Sequence, residues 1–318
     1  MEFERDRNND TEKLEQLAQI LIEALPWVKN ATGKTVVIKY GGAAMVDHSL
    51  RASVMSDIVL LKLMGLNPII VHGGGADINA TLGKMGIEPK FVDGLRVTDE
   101  ETMDVVKMVL IGKVNTELVG AMNRHGYIAV GMSGVDASTI IAEPYDEEHI
   151  YAGRVKSVDS TYIKDLLASD YIPVIASIAT SEDRKTYYNI NADAVAGEIA
   201  ASIGAHKVVF LSDVDGLYLD FEDKGSLISR MTLTEAKEML ESGTLTKGMI
   251  PKMNAIVKAL SEGVPRAHLL NGTVPHALLL EIFTNKGVGT MVARDKRLDG
   301  DDNGFETFPL ANLAAKLQ

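Results

Sequence analysis

Lys39 lies at the end of an apolar run, Thr35–Tyr40, and Tyr40 is followed at once by Gly41 and Gly42. A lysine and two glycines at a strand end suit an anion: glycine lets backbone N–H groups approach closely, and the ammonium adds a point charge. A tight turn beside a lysine is the plain alternative. A second glycine cluster, His72-Gly73-Gly74-Gly75, lies between another apolar run and a helix expected to start near Asp77. Backbone amides at a helix N-terminus form an anion cradle. This cluster lacks the Gly-Lys-Ser/Thr ending of a Walker loop and the glycine spacing of a dinucleotide fingerprint. His72 by itself reads as a packed strand-end histidine.

Four further stretches carry reactive side chains. Arg96, in the loop Gly94-Leu95-Arg96-Val97-Thr98, suits bidentate carboxylate recognition. Asn189-Ile190-Asn191-Ala192-Asp193 opens a helix. Capping explains one Asn and the Asp, while two Asn one residue apart in extended chain point to opposite faces and need different jobs. Ser212-Asp213-Val214-Asp215-Gly216 follows a strand; its carboxylates suit a nucleotide border or a simple turn. Pro251 is placed to start a helix, which puts Lys252 in the first turn, where a cation opposes the dipole and calls for a nearby anion.

The elements that must position these groups are short apolar runs without alternation: Thr35–Tyr40, Pro68–Val71, Ile128–Val130, Ile172–Ile175 and Val208–Leu211, the last clear strand. Such runs suit strands covered on both faces. Helical patterns separate them at Leu50–Met64, Glu100–Arg124 and Ala192–Ile203. Strand–helix alternation predicts an open αβα sandwich with a central, mainly parallel sheet and ligands at the carboxyl ends of its strands. An amphipathic helix is expected over residues 11–30, with Leu14, Leu17, Leu21 and Leu25 on one face, Ala18 and Ile22 beside them, and Pro26 ending or kinking it.

Composition narrows the chemistry. The chain has 318 residues, a net charge of −12 and no cysteine. Disulfides, thiolate catalysis and cysteine-bound zinc are excluded. The negative charge argues against a broad grip on nucleic acid or anionic lipid. The polar N-terminus and the lack of a spanning apolar run suggest a cytoplasmic protein with no membrane contact.

In order and spacing, these motifs resemble the amino-acid kinase superfamily, and within it the arginine-sensitive acetylglutamate kinases. The resemblance covers about residues 34–292. It implies MgATP as co-substrate, with no tightly bound cofactor and no protein-held metal, and N-acetyl-L-glutamate as acceptor. It assigns Lys39 and Lys252 to the phosphoryl group, Asp193 to holding both lysines, and Gly41, Gly42, Gly73 and Gly74 to phosphate. Gly73, Gly74, Arg96, Asn189 and Asn191 fall to the substrate, Arg96 on its α-carboxylate. Four regions follow: a mobile helix over 1–33, an acetylglutamate-binding and dimerising lobe over 34–180, an ATP lobe over 181–294 and a charged tail over 295–318. The terminal helix implies a hexamer built as a trimer of dimers. The stretch His268–Gly272, with Glu281 and Gly287, resembles an L-arginine site and implies feedback inhibition. Binding of a PII-type protein is left open.

One departure stands out: Ser133-Gly134-Val135-Asp136 has Val135 where many relatives carry lysine. Rival readings are a carbamate, uridylate, glutamate or aspartate kinase, a dehydrogenase, or a catalytically dead arginine sensor. Arg96 and the Asn-Ile-Asn-Ala-Asp run favour acetylglutamate. The glycine spacing disfavours a dehydrogenase, and the presence of Lys39, Asp193 and Lys252 disfavours a dead sensor.

Overall fold

The computed structural model describes residues 15, 19, 22, 24–26, 28–45, 47–92, 95–126, 128–146, 150–220, 222–283 and 287–294. In chain order the strands are β1 (Thr35–Tyr40), β2 (Asn67–His72), β3 (Phe91–Val92), β4 (Leu95–Arg96), β5 (Ala129–Ser133), β6 (Ile140–Pro144), β7 (Ala152–Val158) and β8 (Ile172–Ala176). They continue as β9 (Ile178–Thr180), β10 (Tyr187–Ile190), β11 (Lys207–Ser212), β12 (Leu217–Tyr218), β13 (Leu227–Ile228), β14 (Arg230–Thr232), β15 (Arg266–Asn271) and β16 (Thr290–Ala293). The helices are α1 (His48–Leu63), α2 (Gly75–Lys84), α3 (Glu100–Lys107), α4 (Thr116–Asn123), α5 (Thr161–Ala168), α6 (Ala192–Ile203), α7 (Leu233–Glu241), α8 (Ile250–Ser261) and α9 (Ala277–Phe283).

Eight strands form one sheet in the order β14–β16–β15–β11–β1–β2–β8–β5. Its neighbours run parallel except for β15 and β16. The uniform apolar runs have their physical reason here. Along β1, Val36, Ile38 and Tyr40 enter one core while Val37 enters the other. In β11, Val209 and Leu211 join the first core, Val208 and Phe210 the second. Helices α1–α4 and α9 cover the first face; α5–α8 cover the second. Each fully buried Val, Ile or Leu contributes about 1.5–3 kcal/mol relative to exposure, so both faces must be covered. The αβα sandwich with a mainly parallel sheet is therefore present.

Several local expectations are corrected. The strand expected at Ile128–Val130 runs later, from Ala129 to Ser133. β11 is not the last strand: β15 and β16 follow it in the same sheet. β15 carries Arg266, His268 and Asn271, so its polar residues hide a buried strand. A small closed sheet, β10–β7–β6–β9, was also not anticipated. Residues 24–26 and 28–31 are helical, so helix lies on both sides of the position where Pro26 is expected to end or kink it. Leu14, Leu17, Ala18 and Leu21 lie outside the described residues, as does the tail 295–318. Ile22 and Leu25 are exposed. The stretch expected as one helix from Glu100 to Arg124 passes through a π-helical segment, Met108–Asn115.

Candidate active site

Lys39 sits near the end of β1 and is almost buried. Its partner comes from α6. Asn191 caps that helix, its Oδ1 accepting from the N–H groups of Asp193 (2.8 Å) and Ala194 (3.4 Å). The cap fixes the first turn and with it the Asp193 side chain. Lys39 Nζ lies 2.9 Å from Asp193 Oδ1, and Lys252 Nζ lies 3.5 Å from Oδ2. The anion that Lys252 required is therefore Asp193. One carboxylate holds two ammonium groups, which leaves one net positive charge at the strand ends. Burial alone would push the Asp193 carboxyl up, yet the charges and hydrogen bonds of Lys39 and Lys252 hold it below the usual carboxylate range.

The reach between α6 and α8 depends on a glycine that no motif contains. A Cβ on Gly197 would lie 2.8 Å from the Ala255 carbonyl oxygen. Gly197 is one turn beyond Asp193, and Ala255 one turn beyond Lys252, so this close packing brings the acid and the second lysine together. Pro251 opens α8 as expected.

Both glycine turns lie at carboxyl ends of adjacent strands, since β1 pairs with β2 and Tyr40 stands opposite His72. A Cβ on Gly41 would come within 2.8 Å of Lys39 Nζ, so glycine keeps the ammonium's space open. A Cβ on Gly74 would lie 2.7 Å from Leu110 Cδ2, in the π-helical segment. Gly73 approaches the start of α6, where its Cβ would meet Ala192 Cβ at 3.5 Å. Helix α2 begins at Gly75 rather than near Asp77, with its N-terminal amides following directly on the glycines.

His72 is buried, as expected of a packed histidine, but it also shapes the turn. Asn115 Nδ2 donates to His72 Nε2 at 2.9 Å, which leaves Nδ1–H to donate to the Gly73 carbonyl, also at 2.9 Å. Asn115 reaches this place from the π-helical segment and also donates to the Val174 carbonyl at 2.8 Å. Burial lowers the imidazole pKa to about 4, against the opposing hydrogen bond to Gly73. The native state therefore binds one proton fewer than the unfolded chain between pH 4 and 6.5. This contribution to stability is complete above the unfolded value and is lost as pH falls, at about 1.4 kcal/mol per pH unit. Urea unfolding at pH 7, 6 and 5 should show that slope, and His72→Gln should remove it.

Arg96 belongs to the β3–β4 hairpin, not to an irregular loop. Its guanidinium carbon lies 4.8 Å from the centre of the Phe91 ring. Nη2 donates to Asn79 Oδ1 at 2.6 Å and to the Gly75 carbonyl at 3.3 Å. Nη1 is buried with no hydrogen-bond partner among the described residues. Arg96 is thus docked on the start of α2, beside the second glycine turn. Asn189 lies half-buried in β10, its N–H donating to the Tyr151 carbonyl at 2.8 Å. Asn191 caps the helix, while Asn189 lies in the strand that leads to it.

His268, Glu281 and Gly287 also come together. His268 Nδ1 lies 2.7 Å from Glu281 Oε1, and Glu281 Oε2 accepts from the Val288 N–H at 2.7 Å. Gly287 has φ of +59°, and a Cβ there would sit 3.0 Å from Oε2. Both Glu281 oxygens are therefore engaged within the chain. Asp215 accepts from Asn271 Nδ2 (2.7 Å) and the Tyr218 hydroxyl (2.8 Å). In the variant loop, Asp136 Oδ2 accepts from Ser133 N–H at 2.6 Å and Oγ at 2.9 Å, and Val135 packs against the first core. Among the described residues no group of three His, Asp or Glu is placed to hold a metal ion. The donors gathered here suit phosphate oxygens.

Ammonium groups, a guanidinium and glycine amides at one end of a parallel sheet suit transfer of a phosphoryl group to an acceptor already negatively charged. The family model for the amino acid kinase family matches residues 34–271. An acetylglutamate kinase of Caldanaerobacter subterraneus is 51% identical over 90% of this chain and 95% of its own length. Another, of Nostoc punctiforme, is 49% identical over 90% and 97%. Among solved structures, N-acetylglutamate synthase from Neisseria gonorrhoeae, in complex with coenzyme A and N-acetyl-glutamate, superimposes with a TM-score of 0.76 at 25% identity. That match covers 86% of this chain but 63% of the longer synthase. The chain belongs to the amino acid kinase family, and within it to the acetylglutamate kinases.

Proposed function

We propose that this enzyme transfers the γ-phosphoryl group of MgATP to the side-chain carboxylate of N-acetyl-L-glutamate, giving N-acetyl-L-glutamyl 5-phosphate in arginine biosynthesis. The observation that carries the reading is Asp193 holding Lys39 and Lys252 at the strand ends beside both glycine turns. An acceptor carboxylate has a free pKa of about 4.3 and is ionised at neutral pH, so it needs no general base. The work is to bring two anions together, by positioning and charge neutralisation. Lys39 contacts the phosphoryl group in flight and Lys252 the departing ADP. Amides of Gly41, Gly42, Gly73 and Gly74 hold phosphate oxygens. Arg96 takes the α-carboxylate, and Asn189 and Asn191 orient the rest of the acceptor. Bound magnesium would neutralise part of the phosphate charge. The lobe over 34–180 holds the acceptor, the lobe over 181–294 the nucleotide.

ADP release from MgATP, measured in parallel with N-acetyl-L-glutamate, glutamate, aspartate, carbamate and UMP, tests the assignment. Turnover confined to acetylglutamate supports it; turnover with another acceptor alone overturns it.

Regulation belongs to the same reading. L-Arginine, held by His268, Glu281 and Gly287, inhibits, and the N-terminal helix interlaces dimers into a hexamer. The exposed Ile22 and Leu25 support such a covering contact, since apolar stripes on terminal helices are seldom left in water. For arginine to use Glu281, its guanidinium must reach the lone pairs that the Val288 and His268 contacts leave open. Removing residues 1–30 should abolish arginine inhibition and leave basal activity; unchanged inhibition would contradict the regulatory claim.

A further inference from the structure

We infer that Asn79 is a positioning and specificity residue for the acceptor's α-carboxylate, acting through Arg96; this rests on the acceptor reading proposed above. The guanidinium is fixed on three sides. Phe91 lies under it at 4.8 Å, Asn79 Oδ1 accepts from Nη2 at 2.6 Å, and the Gly75 carbonyl accepts from the same nitrogen at 3.3 Å. Both hydrogen bonds use one nitrogen, Nη2. Nη1 is left buried and without a partner among the described residues. A buried guanidinium N–H without a partner is costly, so its natural complement is a bound anion.

The identity of residue 79 matters for charge. A carboxylate at that distance would pair with the guanidinium and spend the positive charge the acceptor needs. An amide holds Nη2 without doing so. The nearest acid on the same helix, Asp77, is engaged by Lys113. Among the described residues no carboxylate forms an ion pair with Arg96. Asn79 and Gly75 are four residues apart, one turn of α2, so the helix that presents its N-terminal amides also orients the arginine. Acceptor recognition and the glycine turn then share one rigid element.

Asn79 is exposed on the first turns of α2, so its substitution leaves both cores intact. The test uses the full-length enzyme, Asn79→Leu and Asn79→Asp, with N-acetyl-L-glutamate as substrate. 4-Acetamidobutanoate, which keeps the amide and side-chain carboxylate but lacks the α-carboxylate, serves as competing ligand. Wild type should bind the analogue at least tenfold more weakly than acetylglutamate. Asn79→Leu should raise KM for acetylglutamate about tenfold, with kcat and KM for ATP within twofold, and leave the analogue's inhibition constant unchanged. Asn79→Asp, which keeps an acceptor oxygen but adds charge, should raise KM at least as far. If both variants keep the wild-type KM, or if the analogue weakens in step with the substrate, the inference is overturned. If wild type itself does not discriminate between the two ligands, the role given to Arg96 fails, and the inference fails with it.

Discussion

Replacing Asp193 with Asn is expected to lower kcat by about 10²–10³-fold, the scale seen when one preorganised electrostatic contact to a transition state is lost. The substitution keeps size and one hydrogen bond but removes the charge that gathers Lys39 at 2.9 Å and Lys252 at 3.5 Å. Two ammonium groups then repel across the space in which the phosphoryl group must travel. Stability should also fall, by about 3 kcal/mol, because a nearly buried Lys39 loses its compensating charge. Saturating kinetics and urea midpoints separate the two effects. A variant within threefold of wild-type kcat would mean that Asp193 is a structural ion-pair centre only.

Arg96→Gln should act on the other kinetic parameter. Truncating one partner of a buried, hydrogen-bonded charge pair costs about 2–5 kcal/mol, so KM for acetylglutamate should rise by at least about 30-fold. KM for ATP should hardly move, because Arg96 is anchored on α2 and Phe91 rather than on the Lys39–Asp193–Lys252 cluster. The contrast is informative: loss in kcat at Asp193, loss in KM at Arg96. Equal loss in both parameters for both variants would point to general disruption of the strand ends instead of divided roles.

Much of this arrangement was legible in the sequence, for reasons that are local. Uniform apolar runs mark strands such as Thr35–Tyr40, whose neighbours in sequence enter opposite cores. Glycine pairs mark the turns that follow β1 and β2, and Pro251 marks the start of α8. Lys252 was recognisable because a cation in a first turn needs an anion. What escaped was decided by partners distant in sequence. Gly197 looks like an ordinary helical glycine until the Ala255 carbonyl is set 2.8 Å from its missing Cβ. Asn115 is one polar residue in an apolar stretch, and only the π-helical segment turns it toward His72. β3 and β4 are two residues each, too short for any alternation to show, so Arg96 read as a loop residue. Asn79 carried no motif at all; its role depends on the hairpin folding back over α2. β15 was hidden by Arg266, His268 and Asn271.

The most direct test of the central claim is the chemical identity of the product. MgATP and N-acetyl-L-glutamate, incubated with the enzyme and hydroxylamine, should yield the acyl hydroxamate in step with ADP, because an acyl phosphate is the species hydroxylamine traps. Lys39→Met should form neither. ADP released without hydroxamate would mean that the phosphoryl group goes to water or to another acceptor, and the assignment of the Lys39–Asp193–Lys252 cluster to carboxylate phosphorylation would be wrong.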